Sequence, residues 1–337
     1  MNRTLLTLLV GLLLASGCDN ELDLTTPWED IPIAYGLLSI QDTVHYVRVE
    51  KAFLDPETSA LELAQVADSI YYGPEVTVSL RRESTGEVFQ MDRINGEDVG
   101  IPRDPGAFAN TPNILYALDP ESINLQANDP VTLIIDRPTA GEATARTSMV
   151  GEISVGANAS PNTVGTNGLT ITQGDDLSLS YRTSDAATIY QTTMFIRVQE
   201  FVNGNSRGEV LVEWNLPLNG EDQRPDADDS GVFYTVPGAG FFTALAAALE
   251  EDGAVTRQIT ELIYVVTGAS SEVDQLLSIN SANTGITSSQ ERPTFSNLEG
   301  GEGLFGSIYR FELTDIGISS RTVQELRAAE ATSGLNF

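Results

Sequence analysis

Leu177-Ser178-Leu179-Ser180-Tyr181, a short turn through Asp185, and then the run from Ile189 to Val202 decide the fold. Apolar and polar residues alternate with a period of two, the pattern of a strand with one face buried. The same kind of run recurs on both sides. Upstream lie Ser148 to Val155 and Leu169 to Thr172. Downstream lie Glu209 to Leu216, Val232 to Val236, Ile259 to Thr267 and Leu304 to Leu313. Clusters of Gly, Pro, Asn and Asp separate the runs and read as turns. Three helical patterns interrupt them. Phe242, Leu245 and Leu249 form an apolar stripe within Phe241 to Glu251, while Ser271 to Ile279 and Ser320 to Ala329 each follow a Ser cap.

A second set of runs fills the first half: Ile33 to Ile40, Val44 to Leu54, Val76 to Leu80, Glu87 to Met91, Ile114 to Leu118 and Val131 to Ile135. Leu61 to Ile70 reads as a short helix or covering loop. The fold class expected is therefore mainly β, with two antiparallel β-sandwich domains and a few short helices in the second. The expected divisions are a leader at 1–17, Cys18 with an acidic stretch at 18–30, and sandwiches at 31–147 and 148–337. The pairing of Tyr181 with Ile189-Tyr190 resembles strands B and C of a fibronectin type III-like domain. That resemblance implies an aromatic on one sheet packed over a Tyr on the next, and carries no activity with it.

Composition removes several functions. Of 337 residues, 48 are Asp or Glu and 18 Lys or Arg, for a formal charge of −30. Such a surface repels phosphate backbones, which argues against a nucleic-acid partner. One Cys excludes an intrachain disulfide, a Cys-based zinc site and a metal cluster. Lys51 is the sole lysine, every other base being Arg. An Arg-biased, acid-rich surface resembles that of proteins from salty habitats, where carboxylates stay hydrated and salt screens their repulsion. A calcium-rich or cationic-ligand surface is the functional alternative.

The first 18 residues read as an address. Arg3 gives a positive start, Leu5 to Leu14 is nearly continuous apolar sequence, and Ala15-Ser16-Gly17 places small residues before Cys18. Leu14-Ala15-Ser16-Gly17-Cys18 resembles a bacterial lipobox, with Ala15 where Leu is usual. The resemblance implies diacylglycerol on the Cys18 sulfur, cleavage before it, and stable anchoring by several acyl chains. Asp19, Asn20, Glu21 and Asp23 would then form a solvated tether, similar to the export signal of surface lipoproteins in Bacteroidota-type bacteria.

Few residues offer chemistry. His45 lies among Val47 and Val49 on one strand face, and no G-x-S-x-G elbow accompanies it. Asp226-Ala227-Asp228-Asp229-Ser230-Gly231 has the spacing that begins a calcium loop, with Asp226, Asp228 and Ser230 as the ligands, but Pro237 stands where a bidentate Glu belongs. A solvated acidic turn is the alternative. Gly301, Gly303 and Gly306 fit G-x-G-x-x-G yet lead into a strand, whereas a pyrophosphate site opens a helix.

Trp28 to Pro32, Tyr35 to Leu38, His45 to Leu54 and Pro293 to Gly306 carry a wider likeness. Together with the lipobox they resemble the Bacteroidota outer-membrane lipoproteins grouped under a domain-of-unknown-function label, the DUF4249-like set. That resemblance implies an accessory role in ligand capture beside a TonB-dependent receptor, and no catalytic residues. Its most specific stretch holds Asn297, Gly300, Gly301, Gly303, Phe305 and Gly306, read either as a ligand or docking loop or as a tight loop locking the final strand. Three classes stay open: an accessory binding module, a structural envelope lipoprotein without a small ligand, and a hydrolytic or calcium-dependent enzyme. Trp28 and Trp214, the two tryptophans, are the available aromatic platforms, with Trp214 expected in a sheet core.

Overall fold

In a computed structural model of the chain, the described residues are 30–52, 59–155, 168–226, 231–282 and 295–337. They are mainly β. The first half contributes β1 (Pro32–Leu38), β2 (His45–Lys51), β3 (Thr77–Arg82), β4 (Glu87–Gln90), β5 (Asp92–Asn95), β6 (Ile114–Leu118), β7 (Pro130–Arg137) and β8 (Gly141–Ser148). The second contributes β9 (Asp176–Tyr181), β10 (Ile189–Val202), β11 (Asn205–Leu216), β12 (Val232–Pro237), β13 (Val255–Ala269), β14 (Leu298–Glu299) and β15 (Glu302–Ile316). Short helices α1 (Ala60–Ala64), α2 (Ala67–Ile70), α3 (Pro120–Ile123) and α4 (Gly220–Gln223) lie between strands. The longer ones are α5 (Ala239–Ala248), α6 (Ser271–Ala282) and α7 (Ser320–Ala328).

Two cores result. In the first, Leu38, Val47, Val49 and Tyr116 from β1, β2 and β6 face Val78, Leu80, Leu133 and Ile135 from β3 and β7. In the second, Met194, Ile196, Val212, Tyr264 and Val266 from β10, β11 and β13 face Leu177, Leu179, Val236, Phe242 and Leu326 from β9, β12, α5 and α7. Tyr181 and Tyr190, on facing sheets, stack with ring centroids 4.8 Å apart. Trp214 is buried, edge-on to Phe241 at 5.9 Å.

The division of cores falls between Met149 and Val150, but the chain crosses it again near its far end. Leu298 and Phe305 belong to the first core although they lie far beyond residue 148. The segmental division at 147/148 therefore needs an amendment: residues 298–307 are part of the first sandwich. β15 explains how. Its first part pairs in parallel with β1, from Ile33 opposite Glu302 to Leu38 opposite Ser307. From Ile308 onward it pairs antiparallel with β13, starting at Ala269. One continuous sheet, in the order β11-β10-β13-β15-β1-β2-β6-β5, thus runs through both sandwiches. Smaller sheets, β14-β8-β7-β3-β4 and β12-β9, close them.

Local differences from the sequence expectations have simple causes. Beyond Ser148 the chain leaves the sheet, because Val150 and Ile153 drop into the second core. Leu169 makes a single bridge, to Ile318, rather than a strand. Gly141–Ser148 is a strand whose inward residues, Ala143, Ala145 and Thr147, are too small to advertise it.

Candidate functional site

The glycine-rich stretch turns the polar groups of Asn297 and Ser296 onto its own backbone. Asn297 is the clasp. Its side-chain amide donates to the carbonyls of Phe305 at 2.7 Å and Arg146 at 3.2 Å, and its Oδ1 accepts the Phe305 amide at 2.9 Å. Ser296 Oγ accepts the Gly303 amide at 3.1 Å. Gly300 turns the chain with φ 75°, and Gly303 has φ 130°. A Cβ on Gly303 would stand 1.9 Å from the Ala34 carbonyl oxygen, so only glycine lets β15 approach β1 there. A Cβ on Gly301 would meet the Pro32 carbonyl at 2.6 Å, and one on Gly306 would meet Val273 at 2.9 Å. With Phe305 in the first core, this geometry holds β15 in register against β1.

The same loop adjoins Asp30, the first of the described residues. Asp30 accepts a hydrogen bond from the Tyr72 hydroxyl, and its carbonyl accepts one from the Arg137 guanidinium. Arg137, itself buried, also reaches the Gly141 carbonyl at 3.1 Å and the Gly300 carbonyl at 3.5 Å. Burial, and next the Asp30 carboxylate, push the Tyr72 phenol well above its ordinary range. Cys18, the lipidation candidate, lies outside the described residues.

Asp226 lines a cleft of about 260 Å³ with Thr183, Ser184, Asp185, Thr188 and Tyr190. Asp228 and Ser230, the other two calcium candidates, lie outside the described residues. Among the described residues, no three Asp, Glu, His or Cys side chains gather as a metal-binding group. His45 is buried in the first sandwich, with Nδ1 2.9 Å from Asp42 Oδ2 and Nε2 without a partner among the described residues. Asp42 also accepts the Ser39 amide at 2.9 Å, so the pair fastens the β1–β2 turn.

Two further clefts involve residues that composition did not single out. One, about 400 Å³, lies under α7 between Ile259, Ile318, Val323, Leu326, Phe337, Arg257 and Arg327. Arg257 is committed elsewhere: it pairs with Glu200 at 2.8 Å and donates to the Leu335 and Glu250 carbonyls, both at 2.9 Å. The other is a shallow groove of about 540 Å³ along β15, lined by Gln41, Tyr309, Arg310, Phe311 and Glu312. Burial, with Glu152 nearby, pushes the Tyr309 phenol upward, so it stays neutral at physiological pH. Gln41 holds the β15 backbone on both sides of one residue, donating to the Arg310 carbonyl and accepting the Arg310 amide, each at 3.0 Å.

No family model matches the chain, and no curated protein matches it in sequence.

Proposed function

We propose that this chain is a lipid-anchored cell-envelope binding protein, held at the outer membrane through Cys18, that assists a TonB-dependent receptor in ligand capture. The observation that carries this reading is the clamp on Asp30. Tyr72 and Arg137 grip the chain where a tether of about a dozen residues would begin, and they fix it beside the Gly300 turn. A tether of that length reaches at most about 40 Å, so it would keep the first sandwich close to the bilayer. The second sandwich, joined through β15, would stand farther out. The lipobox and the likeness to DUF4249-like lipoproteins supply the address and the receptor association. A structural envelope lipoprotein is the second reading, favoured by the inward-turned Asn297 to Gly306 loop.

Detergent phase partitioning of the full-length protein and its Cys18→Ser variant tests the anchor. The wild type is expected in the detergent phase and the variant in the aqueous phase; identical partitioning would remove the anchor. Purification from solubilised outer membrane tests the accessory role, which predicts a stoichiometric β-barrel partner. Recovery of the anchored protein alone would leave the structural reading.

A further inference from the structure

We propose that the free edge of β15 around Arg310 and Glu312 is a strand-addition site for an extended, basic segment of a partner protein. This concerns the folded body and stands whether or not Cys18 carries lipid. The argument starts with parity. The Arg310 amide and carbonyl are both bonded to the Gln41 side chain, so they point away from β13. In an antiparallel pair, successive residues direct their backbone groups to opposite edges. Phe311 and Leu313 therefore exchange bonds with Val266 and Tyr264, while the amide and carbonyl of Glu312 face outward with those of Arg310; past Leu313 a bulge at Asp315, φ 60°, shifts the register.

Among the described residues, no strand pairs with that outward edge. β1, which covers it earlier, leaves after Ser307, and β15 ends at Ile316. The exposed edge is a ladder template, and the groove beside Tyr309 and Phe311 is a place for alternate side chains of an added strand. Gln41 already makes the two-bond contact that a pairing residue makes, at the first position of the row.

Charge selects the occupant. A second copy would bring another −30 to the interface, against mutual repulsion. An extended segment bearing Lys or Arg is attracted by the same field, and its basic side chains would meet Glu312 on the outer face, where Arg310 lies 2.6 Å from it.

The test is fluorescence anisotropy with full-length protein in detergent and a labelled nine-residue peptide alternating Val and Lys. Saturable binding is expected, at least tenfold tighter than for an alternating Val and Glu peptide or for a Val and Lys peptide with a central proline. Glu312→Pro removes one outward donor while sparing the bonds to β13, and should weaken binding about tenfold. Glu312→Gln keeps the donor and should weaken it less. Gln41→Ala uncovers Arg310, lengthens the edge, and should tighten binding severalfold. Unchanged binding in both Glu312→Pro and Gln41→Ala would overturn the proposal. So would equal binding of the proline-interrupted peptide, or sedimentation showing a dimer that Glu312→Pro abolishes.

Discussion

Ser307 Oγ accepts the backbone amide of Val150 at 2.9 Å, across the line where the two cores divide. Ser307 is fully buried, at the residue where β15 passes from β1 to β13. Its amide donates to Ser270 Oγ at 3.1 Å, and its carbonyl accepts the Ser270 amide at 2.9 Å. Thr147 adds its hydroxyl to the same cluster, 2.9 Å from Glu272. A small polar knot thus joins both sandwiches where the shared strand changes partners. Ser307→Ala would leave the Val150 amide buried without an acceptor, at a cost of about 1–3 kcal/mol. Because β15 belongs to both sandwiches, urea unfolding of this variant should shift as one transition toward lower denaturant. Two separated transitions in the wild type would contradict that coupling.

Gly303 gives a sharper test of the glycine loop. Alanine there meets both an unfavourable φ of 130° and the Ala34 carbonyl at 1.9 Å. Gly204 is a fair control, with φ 78° and open space around a Cβ. Gly204→Ala should cost about 1 kcal/mol, whereas Gly303→Ala should cost several-fold more, since β15 must move off β1. Thermal melts followed by circular dichroism compare the two. Equal losses would mean that the loop does not set the β1–β15 register.

The strands that were legible in the sequence are those with large alternating side chains. β10 and β7 announce themselves through residues such as Met194, Ile196, Leu133 and Ile135, because a buried face needs volume. β8 stays silent since Ala143 and Ala145 fill a tight gap opposite other elements. The handover at Ser307 was not legible either: alternation tells which face of a strand is buried and nothing about which strand lies at each edge. For the candidate site the limits are similar. Asn297 and its glycines were visible as a group, but whether they face a ligand or each other depends on Ala34 and Arg146, distant in sequence. Gln41 is one exposed side chain whose role arises wholly from the position of Arg310.

Arg257 and Glu200 form a buried pair that pins the end of the chain to β13 and β10 of the second sandwich. Removing only that cation leaves the Glu200 carboxylate in a poorly hydrated place with the more distant Arg207, 3.8 Å away, and breaking such a buried pair commonly costs about 3–5 kcal/mol. Arg257→Met should therefore be strongly destabilising. The double variant Arg257→Met, Glu200→Met should recover part of the loss, though the Leu335 and Glu250 carbonyls stay without their donor. A double-mutant cycle from denaturant melts measures the coupling. Additive losses would show that Arg257 acts only through those carbonyls.

Acid should loosen the second sandwich through Glu261 on β13. The Asp315 amide, 2.8 Å from the Glu261 carboxylate, and next the Arg197 guanidinium hold that carboxyl below its ordinary value. A depressed folded-state value means that the carboxylate's contribution is present above the unfolded value. It is lost as pH falls through the folded one. Glu261→Gln should lower stability at neutral pH and flatten the decline below about pH 4. Melts of both proteins between neutral and acidic pH check this. Parallel curves would place the acid sensitivity elsewhere, for example at Glu83, held down by the Thr132 hydroxyl and Arg81.

Salt pits two effects against each other. It weakens exposed pairs such as Arg310–Glu312 at 2.6 Å and Arg321–Asp175 at 3.6 Å. It also screens repulsion among carboxylates. Exposed pairs contribute at most about 1 kcal/mol each, and many contribute nothing measurable. With 48 acids against 18 bases, most carboxylates have no cation to lose, so relief of repulsion should win. The buried Arg257–Glu200 pair is shielded from solvent ions and should change little. The melting temperature is therefore expected to rise as NaCl is added from about 0.05 M to about 1 M, with most of the gain early, where the screening length shortens fastest. A flat or falling curve would mean that the acidic surface is tuned to bound cations or to a basic partner rather than to ionic strength.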